Sequence, residues 1–372
     1  MGGGVNFTRR RRADGRGRER PDAAGARRLA VRSLFAAGAV VAALLASASA
    51  QEIYRYPDFG IRDVTVEGVI LGRGDLGGAP LTKANNANGS LPGGATSFVP
   101  VSTAGLDPGT GTGVRVSVEG WLFGRPIRYS FLGAWDFEDS FTRTGLSDGA
   151  LGTDAAYELP GADVDLDNSD EIEAIRVDHQ SRLTTGDSAT YPMLFPGSED
   201  VRVLFGTRLI MMNEELSTAV FNDANDFAGL DNEIDRANVE VDNRMIGLQV
   251  GVEGEQPVSE GVTVGGFVKG GLLANFIDVE TSFASDDAPA NALNKGYDDI
   301  GFAQFIEASG NVSVRLTESA SLVASGMLLW VNGVNEAGDN YSQVSDAQAT
   351  GIGNDEDAVF YGARLGVKID LN

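Results

Sequence analysis

The last fifteen residues of the chain, AVFYGARLGVKIDLN, alternate between apolar residues and small or charged ones. From Val359 to Leu371 every second residue is apolar, and Arg364, Lys368 and Asp370 lie between them. A side-chain period of two is typical of a β-strand with one face in an apolar medium and the other in a polar one. The segment therefore packs either on a protein core or against lipid.

The same alternation recurs upstream, and we predict ten amphipathic strands. They cover residues 63–73, 113–122, 126–138, 171–185, 199–217, 238–253, 260–281, 300–316, 320–333 and 357–371. Long and short connections alternate between them, with one intermediate connection at 186–198. Transmembrane barrels have this arrangement because turns close their periplasmic ends and longer loops close their outer ends. We therefore expect an all-β, antiparallel, up-and-down transmembrane β-barrel of about ten strands, within a range of about eight to twelve.

Residues 1–50 have the pattern of a cleavable signal peptide. A long arginine-rich stretch precedes an apolar stretch, and small residues lead to Ala50 before Gln51. The apolar stretch, about fourteen residues, is shorter than the roughly twenty that a membrane-spanning helix needs. We expect export, cleavage between Ala50 and Gln51, and a single barrel domain over 51–372 in the outer membrane of a Gram-negative cell. Both termini of the barrel would then be periplasmic.

The part of the chain after the signal peptide is strongly acidic. Removing ten arginines and three acidic residues from the totals of 29 and 53 leaves 19 basic and 50 acidic residues, a net charge of −31. This charge argues against nucleic acid as a partner, because phosphates would be repelled. The chain has no cysteine, which excludes disulfides and thiolate metal sites. We expect no cofactor, and we expect outer-membrane lipid and the barrel-assembly machinery as partners.

Three stretches carry a family likeness: 64–81 near the start of the predicted barrel, 201–216 in the middle and 358–372 at the end. They resemble the outer-membrane β-barrel family that is common in planctomycetes and is related to the Legionella-type pore-forming outer-membrane protein. The resemblance implies an outer-membrane barrel related to pore-forming proteins. The chain departs from the usual pattern at Asn372, since outer-membrane barrels usually end in an aromatic residue that the assembly machinery reads.

The polar faces of the predicted strands carry both signs of charge. We predict that the lumen is lined by Arg115, Glu119, Arg128, Asp136, Glu138, Arg202, Arg208, Glu253, Lys269, Arg315, Arg364 and Lys368. This lining predicts a passive, narrow pore, and the acidic loops would favour the passage of small cations or solutes. Small barrels fill their interior with side chains. The alternative is therefore a structural or surface-interaction barrel with a filled lumen and long acidic external loops.

Aromatic residues recur near the predicted strand ends. We predict that interfacial girdles contain Trp121, Tyr129, Trp135, Trp330 and Tyr361. In a water-soluble fold the same residues would be ordinary core aromatics.

Two weaker patterns point to other functions. His179 and Ser181 lie two residues apart on one strand face, so an outer-membrane lipid hydrolase in which histidine takes the serine proton is an alternative. The acidic run 163–171 spaces its aspartates like a calcium loop but lacks the glycine and glutamate of an EF-hand. We expect neither catalytic residues nor an assigned metal site. A secreted β-sandwich that binds a ligand is the last alternative.

Overall fold

The computed structural model describes residues 59–74, 76, 81, 83–84, 101–144, 157–158, 174–194, 200–221, 233–285, 293–341 and 356–371. The predicted signal peptide with its cleavage site at Ala50 and Gln51, the acidic run 163–171 and Asn372 lie outside these residues. Within the described ranges, no helix has the length and apolar character needed to cross a membrane.

Ten antiparallel strands pair into a closed barrel, which confirms the predicted fold. In chain order the strands are β1 (Phe59–Arg73), β2 (Lys83–Ala84), β3 (Thr110–Leu122), β4 (Arg125–Thr144), β5 (Tyr157–Glu158), β6 (Ala174–Leu194), β7 (Val201–Phe221), β8 (Glu233–Ser259), β9 (Val262–Ser285), β10 (Leu293–Arg315), β11 (Ala320–Val334) and β12 (Glu356–Asp370). The short strands β2 and β5 form a separate two-stranded sheet. The other ten follow one another around the barrel, and β1 closes it by pairing with both β3 and β12. Among the described residues of the connections are two short helices, a 3₁₀ helix at Thr103–Gly105 and α1 at Ala337–Asn340.

The two ends of the barrel have different connections. At one end, which we call the turn end, the connections are short and cover 123–124, 195–200, 260–261 and 316–319. At the other, the loop end, they are longer and cover 74–109, 145–173, 222–232, 286–292 and 335–355. The connection predicted as intermediate is short, because β6 continues to Leu194. Strand β1 begins and β12 ends at the turn end, where the Leu371 N–H donates to the Arg62 carbonyl at 2.9 Å.

The outer face of the barrel is apolar. On β8 the side chains of Ile246, Leu248 and Val250 are each more than half exposed, as are Leu272 on β9 and Phe302 on β10. Soluble monomers rarely expose contiguous apolar surface on this scale, whereas a membrane barrel presents such a band to lipid.

Four of the five predicted girdle residues lie on this outer face, whereas Trp121 follows Arg115, Ser117 and Glu119 on the inward row of β3, at the turn end. Trp121, Tyr129, Trp135 and Tyr361 are 41–54% exposed, and Trp330 is partly buried on the outward row of β11. Their grouping into two interfacial girdles stays a prediction.

A β-bulge in β4 reverses two of the lumen predictions. The pairing with β6 shifts between Ala134 and Phe137, and Asp136 between them has a φ of 67°. The inserted residue resets the alternation, so Phe137 points inward with 0% exposure while Asp136 is exposed. Glu138 also faces outward and accepts a hydrogen bond from Gln180 at 2.7 Å. The prediction that Asp136 and Glu138 line the lumen was therefore wrong.

Candidate functional site

The inward-facing row of β7 shows how the barrel interior is filled. From the turn end to the loop end this row consists of Arg202, Leu204, Gly206, Arg208, Ile210, Met212, Glu214, Leu216, Thr218 and Val220. Charged positions recur along the row and are separated by apolar ones. The other strands supply matching side chains at the same levels, so the lumen is built as successive polar and apolar layers.

Four charged side chains from four strands form a buried cluster, which we call the charge quartet. Asp187 Oδ2 accepts hydrogen bonds from Arg208 Nη1 at 2.9 Å and from Lys269 Nζ at 2.7 Å. Glu307 Oε2 lies 2.8 Å from Arg208 Nη2 and 3.3 Å from Lys269 Nζ. All four side chains are at most 4% exposed. Because two positive and two negative charges meet, each buried ion has a partner.

An apolar layer lies next to the charge quartet on the side of the loop end. Nine of the ten barrel strands contribute buried side chains to it, among them Leu71, Met212, Phe305 and Phe360. Phe137 and Phe360 meet edge to face with ring centroids 5.6 Å apart. The layer therefore closes the cross-section of the barrel with apolar side chains.

A second polar level follows, centred on Arg73 at the end of β1. Arg73 Nη2 donates to Glu336 Oε1 at 2.9 Å and also to Glu214. Glu214 in turn accepts from the main-chain N–H of Ala337 at 3.2 Å. These contacts fasten residues 335–341, which we call the plug segment, to the inner wall of the barrel.

Two asparagines, Asn243 on β8 and Asn275 on β9, also hold this segment and the chain that leads into it. Asn243 Nδ2 donates to the Asn335 carbonyl at 2.8 Å, and the Asn335 N–H donates to Asn243 Oδ1 at 2.9 Å. Asn275 Nδ2 donates to Asn243 Oδ1 at 2.9 Å and to the Gly333 carbonyl at 3.1 Å. Gly333 has a φ of 79° at a register shift between β11 and β12, which suits glycine and turns the chain into the lumen.

An apolar cluster closes the loop end above the plug segment. Leu76, Leu81 and Val101, from the first long connection, pack with Tyr341 of the plug segment and with inward side chains of the strands. The Tyr341 hydroxyl forms a hydrogen bond with Thr218 on β7. Two of the long connections thus contribute to the closure.

The plug segment contains a carboxyl group, that of Asp339, whose pKa is raised. Asp339 lies in α1, outside the barrel strands. Burial, together with the negative charges of Glu356 and Glu214, raises its pKa to about 6. Its carboxylate therefore weakens the docking of the plug segment once it ionises.

The turn end contains a polar cavity of about 220 Å³. It is lined by charges of both signs, and Arg128 pairs there with Glu253, which also accepts from Arg202 Nη2 at 3.0 Å. Of the twelve predicted lumen residues, those that face the interior are Arg115, Glu119, Arg128, Arg202, Arg208, Glu253, Lys269, Arg364, Lys368 and, at the exposed rim, Arg315.

His179 and Ser181 face the barrel interior. Each is 3% exposed, and neither side chain has a hydrogen-bond partner among the described residues. A small cleft beside His179 is lined by Thr103 and by the carboxylates of Glu214 and Glu336. Because both side chains point away from the lipid-facing surface, the geometry gives no support to the alternative of a hydrolase acting on membrane lipid.

The prediction missed several residues that fill the lumen. Asp187 was missed because the predicted strand 171–185 is too short. In the structure β6 continues to Leu194 and includes Asp187. Glu307 could have been found, because it lies in the inward row between Phe305 and Ser309.

Within the described part of the chain, no group of three or more His, Asp or Glu residues could hold a metal ion.

Comparisons with solved structures give resemblances to outer-membrane proteins. No family model matches the chain, and no curated protein matches it. The outer-membrane protease OmpT of Escherichia coli is 11% identical, over 85% of this chain and 98% of that chain, with a TM-score of 0.37. A major outer membrane protein of Thermus thermophilus is 10% identical, over 82% and 98%, with a TM-score of 0.27. The attachment invasion protein Ail of Yersinia pestis is 5% identical, over 83% and 99%, with a TM-score of 0.21. Similarity at this level carries no argument about activity.

Proposed function

We propose that this protein is an outer-membrane β-barrel with a side-chain-filled lumen, which acts as a structural or surface-interaction barrel. The closed strand pairing and the apolar outer face support a location in a membrane. Outer-membrane barrels keep their short turns on the periplasmic side. The turn end, with both ends of the barrel chain, would then be periplasmic, and the long acidic connections would face the outside.

The apolar layer is the observation that carries this proposal. A passing ion would have to leave water for a section lined by side chains such as Leu71, Phe305 and Phe360, each at most 1% exposed. Transfer of a charge into such surroundings without partners is very costly. A passive pore would require a path through this layer. The cation preference expected from the acidic loops would then apply to that open state.

Planar bilayer recording tests the proposal. The purified full chain should insert without producing steady conductance steps, because the apolar layer blocks ions. Sustained steps that favour cations over anions in ion-substitution experiments would overturn the filled-lumen proposal and support the narrow pore.

A separate experiment tests the location. The protein should fractionate with outer membranes and should migrate differently on gels before and after heating, as folded barrels do. Proteases added to intact cells should cut within the long connections and spare the turn end. Recovery of the folded protein in aqueous buffer without detergent would contradict the membrane assignment.

A further inference from the structure

The turn-end cavity contains two arginines that share one carboxylate. Arg115 Nη1 lies 3.7 Å from Glu67 Oε2, and Arg364 Nε lies 3.7 Å from Glu67 Oε1. Glu67 Oε1 already accepts a hydrogen bond from Ser325 at 2.6 Å. The three charged side chains are at most 9% exposed. The group thus holds two positive charges and one negative charge away from bulk water.

Three other carboxylates of the cavity, those of Asp63, Glu119 and Glu253, pair with other cations, whereas Glu255 and Asp370 line the cavity with no cation within 4.0 Å among the described residues. Asp63 lies 3.4 Å from Lys368 Nζ, and Glu253 lies 3.0 Å from Arg202 Nη2. Among the described residues, no carboxylate besides that of Glu67 lies within 4.0 Å of the guanidinium groups of Arg115 and Arg364, which we call the arginine pair. Within this distance the arginine pair therefore has one carboxylate for two guanidinium groups.

Arg364, which lines the cavity, also has buried donors without a hydrogen-bond partner among the described residues. Its Nη2 donates to Ser309 Oγ at 2.6 Å. Its Nε and Nη1 are buried and have no hydrogen-bond partner among the described residues, although the side chain is only 2% exposed and lines the cavity. Buried donors of a charged group are costly to leave without acceptors. A negatively charged acceptor would therefore stabilise the site.

We propose that the turn-end cavity binds a small oxyanion, a carboxylate or phosphate group, at the arginine pair. A guanidinium presents its N–H groups in a planar fork that matches two oxygens of such a group. The hydroxyl groups of Ser309 and Ser325 lie beside the arginine pair and add further polar partners. The cavity volume of about 220 Å³ is several times the roughly 30 Å³ that a water molecule occupies in the liquid.

Isothermal titration calorimetry on the purified full chain in detergent tests this proposal. Inorganic phosphate and acetate are titrated separately at constant ionic strength against a chloride background. We expect the wild type to bind at least one of them, and Arg364→Gln to weaken binding about tenfold or more through loss of a charge-assisted contact. Glu67→Gln should tighten binding several-fold, because it removes the negative charge that the arginine pair now shares.

Arg315→Gln is the matched control, since Arg315 lies at the exposed rim of the same cavity. It removes the same charge but should leave the affinity within about twofold, because exposed charges are screened. If Arg315→Gln and Arg364→Gln weaken the affinity for the anion equally, the proposal is overturned. Binding would then reflect only the general attraction of the anion to positive charge. An absence of binding by the wild type would also overturn the proposal.

The experiment stays decisive if Arg364→Gln does not fold. Unchanged or weaker affinity in Glu67→Gln would then overturn the proposal, whereas tighter binding would support it. Binding of phosphate alone assigns the site to a phosphate group, and binding of acetate alone assigns it to a carboxylate. Heat-modifiable gel migration verifies that each variant is folded.

Discussion

Asn243 and Asn335 form a reciprocal pair in which a side-chain amide takes the place of a neighbouring strand. The Asn243 side chain donates to the main-chain carbonyl of Asn335 at 2.8 Å and accepts from the main-chain N–H of Asn335 at 2.9 Å. Both asparagines are 0% exposed. The main chain of Asn335 leaves β11 and enters the lumen, where water cannot satisfy it. Asn243 therefore makes it possible for the plug segment to lie inside the barrel.

Replacement of Asn243 should release the plug segment. Asn243→Ala leaves the main-chain N–H and carbonyl of Asn335 without partners, at about 1–3 kcal/mol for each buried group, and removes one of the two acceptors of the Asn275 amide. We expect a lower free energy of unfolding in denaturant titrations and faster proteolysis at the loop end. Asn213→Ala is the control, because Asn213 is exposed on the outer face. Equal stability of the two variants would contradict the anchoring role.

The charge quartet should respond strongly to the loss of one cation. Lys269→Met leaves Asp187 and Glu307 with Arg208 as their shared cation, and breaking a buried pair in this way costs about 3–5 kcal/mol. Adding Asp187→Asn should restore much of the stability, because Arg208 and Glu307 then remain as a balanced pair. Denaturant unfolding of the two single variants and the double variant measures this coupling.

The control for this cycle is Lys368→Met. Lys368 lies 3.4 Å from Asp63, and its side chain is 25% exposed, so its loss should cost under about 1 kcal/mol. Additive effects of Lys269→Met and Asp187→Asn would show that the two charges do not interact.

The docking of the plug segment should strengthen at mildly acid pH. Burial raises the pKa of Asp339 to about 6, above its ordinary value of 3.8. A carboxyl whose folded-state pKa is raised contributes stability that is fully present below the unfolded pKa and is lost as pH rises through the folded value. Between about pH 7 and pH 4, we therefore expect amide hydrogen exchange in the plug segment to slow beyond the intrinsic effect of pH.

Asp339→Asn tests whether the carboxyl group of Asp339 causes this pH dependence. The variant should protect the plug segment at pH 7 as well as the wild type does near pH 4, because the amide carries no charge at either pH. A pH dependence of protection equal to that of the wild type would contradict the role of Asp339.

The sequence predicted the strand number because lipid-facing rows alternate strongly, and it failed where that alternation lapses. Residues 186–194 of β6 were missed, since their outward positions include Gly186, Ser188 and Thr190 rather than large apolar residues. The bulge at Asp136 was missed because an inserted residue leaves no mark in composition. These failures account for the misplacement of Asp187 and for the two wrong lumen assignments in β4.

The filled lumen was harder to predict than the barrel. Inward-facing charges can line a water-filled pore or pair with one another. Which of the two occurs depends on which strands face each other across the closed barrel. Arg73 meets Glu214 and Glu336, residues more than 140 positions away along the chain. No local pattern reports such a contact. The small size of the barrel was enough to suggest a filled lumen as an alternative. The order of polar and apolar layers inside the lumen could not be predicted from the sequence.

Opening the apolar layer should turn a closed barrel into a conducting one. Phe137 and Phe360 meet within that layer, and the double variant Phe137→Ala with Phe360→Ala removes both rings. We expect ionic steps in planar bilayers where the wild type gives none, with a loss of stability of several kcal/mol from the cavity created. Phe131→Ala with Phe302→Ala is the matched control, because both of those rings lie on the exposed outer face. Conductance in the control alone, or in neither variant, would show that another part of the molecule holds the barrier.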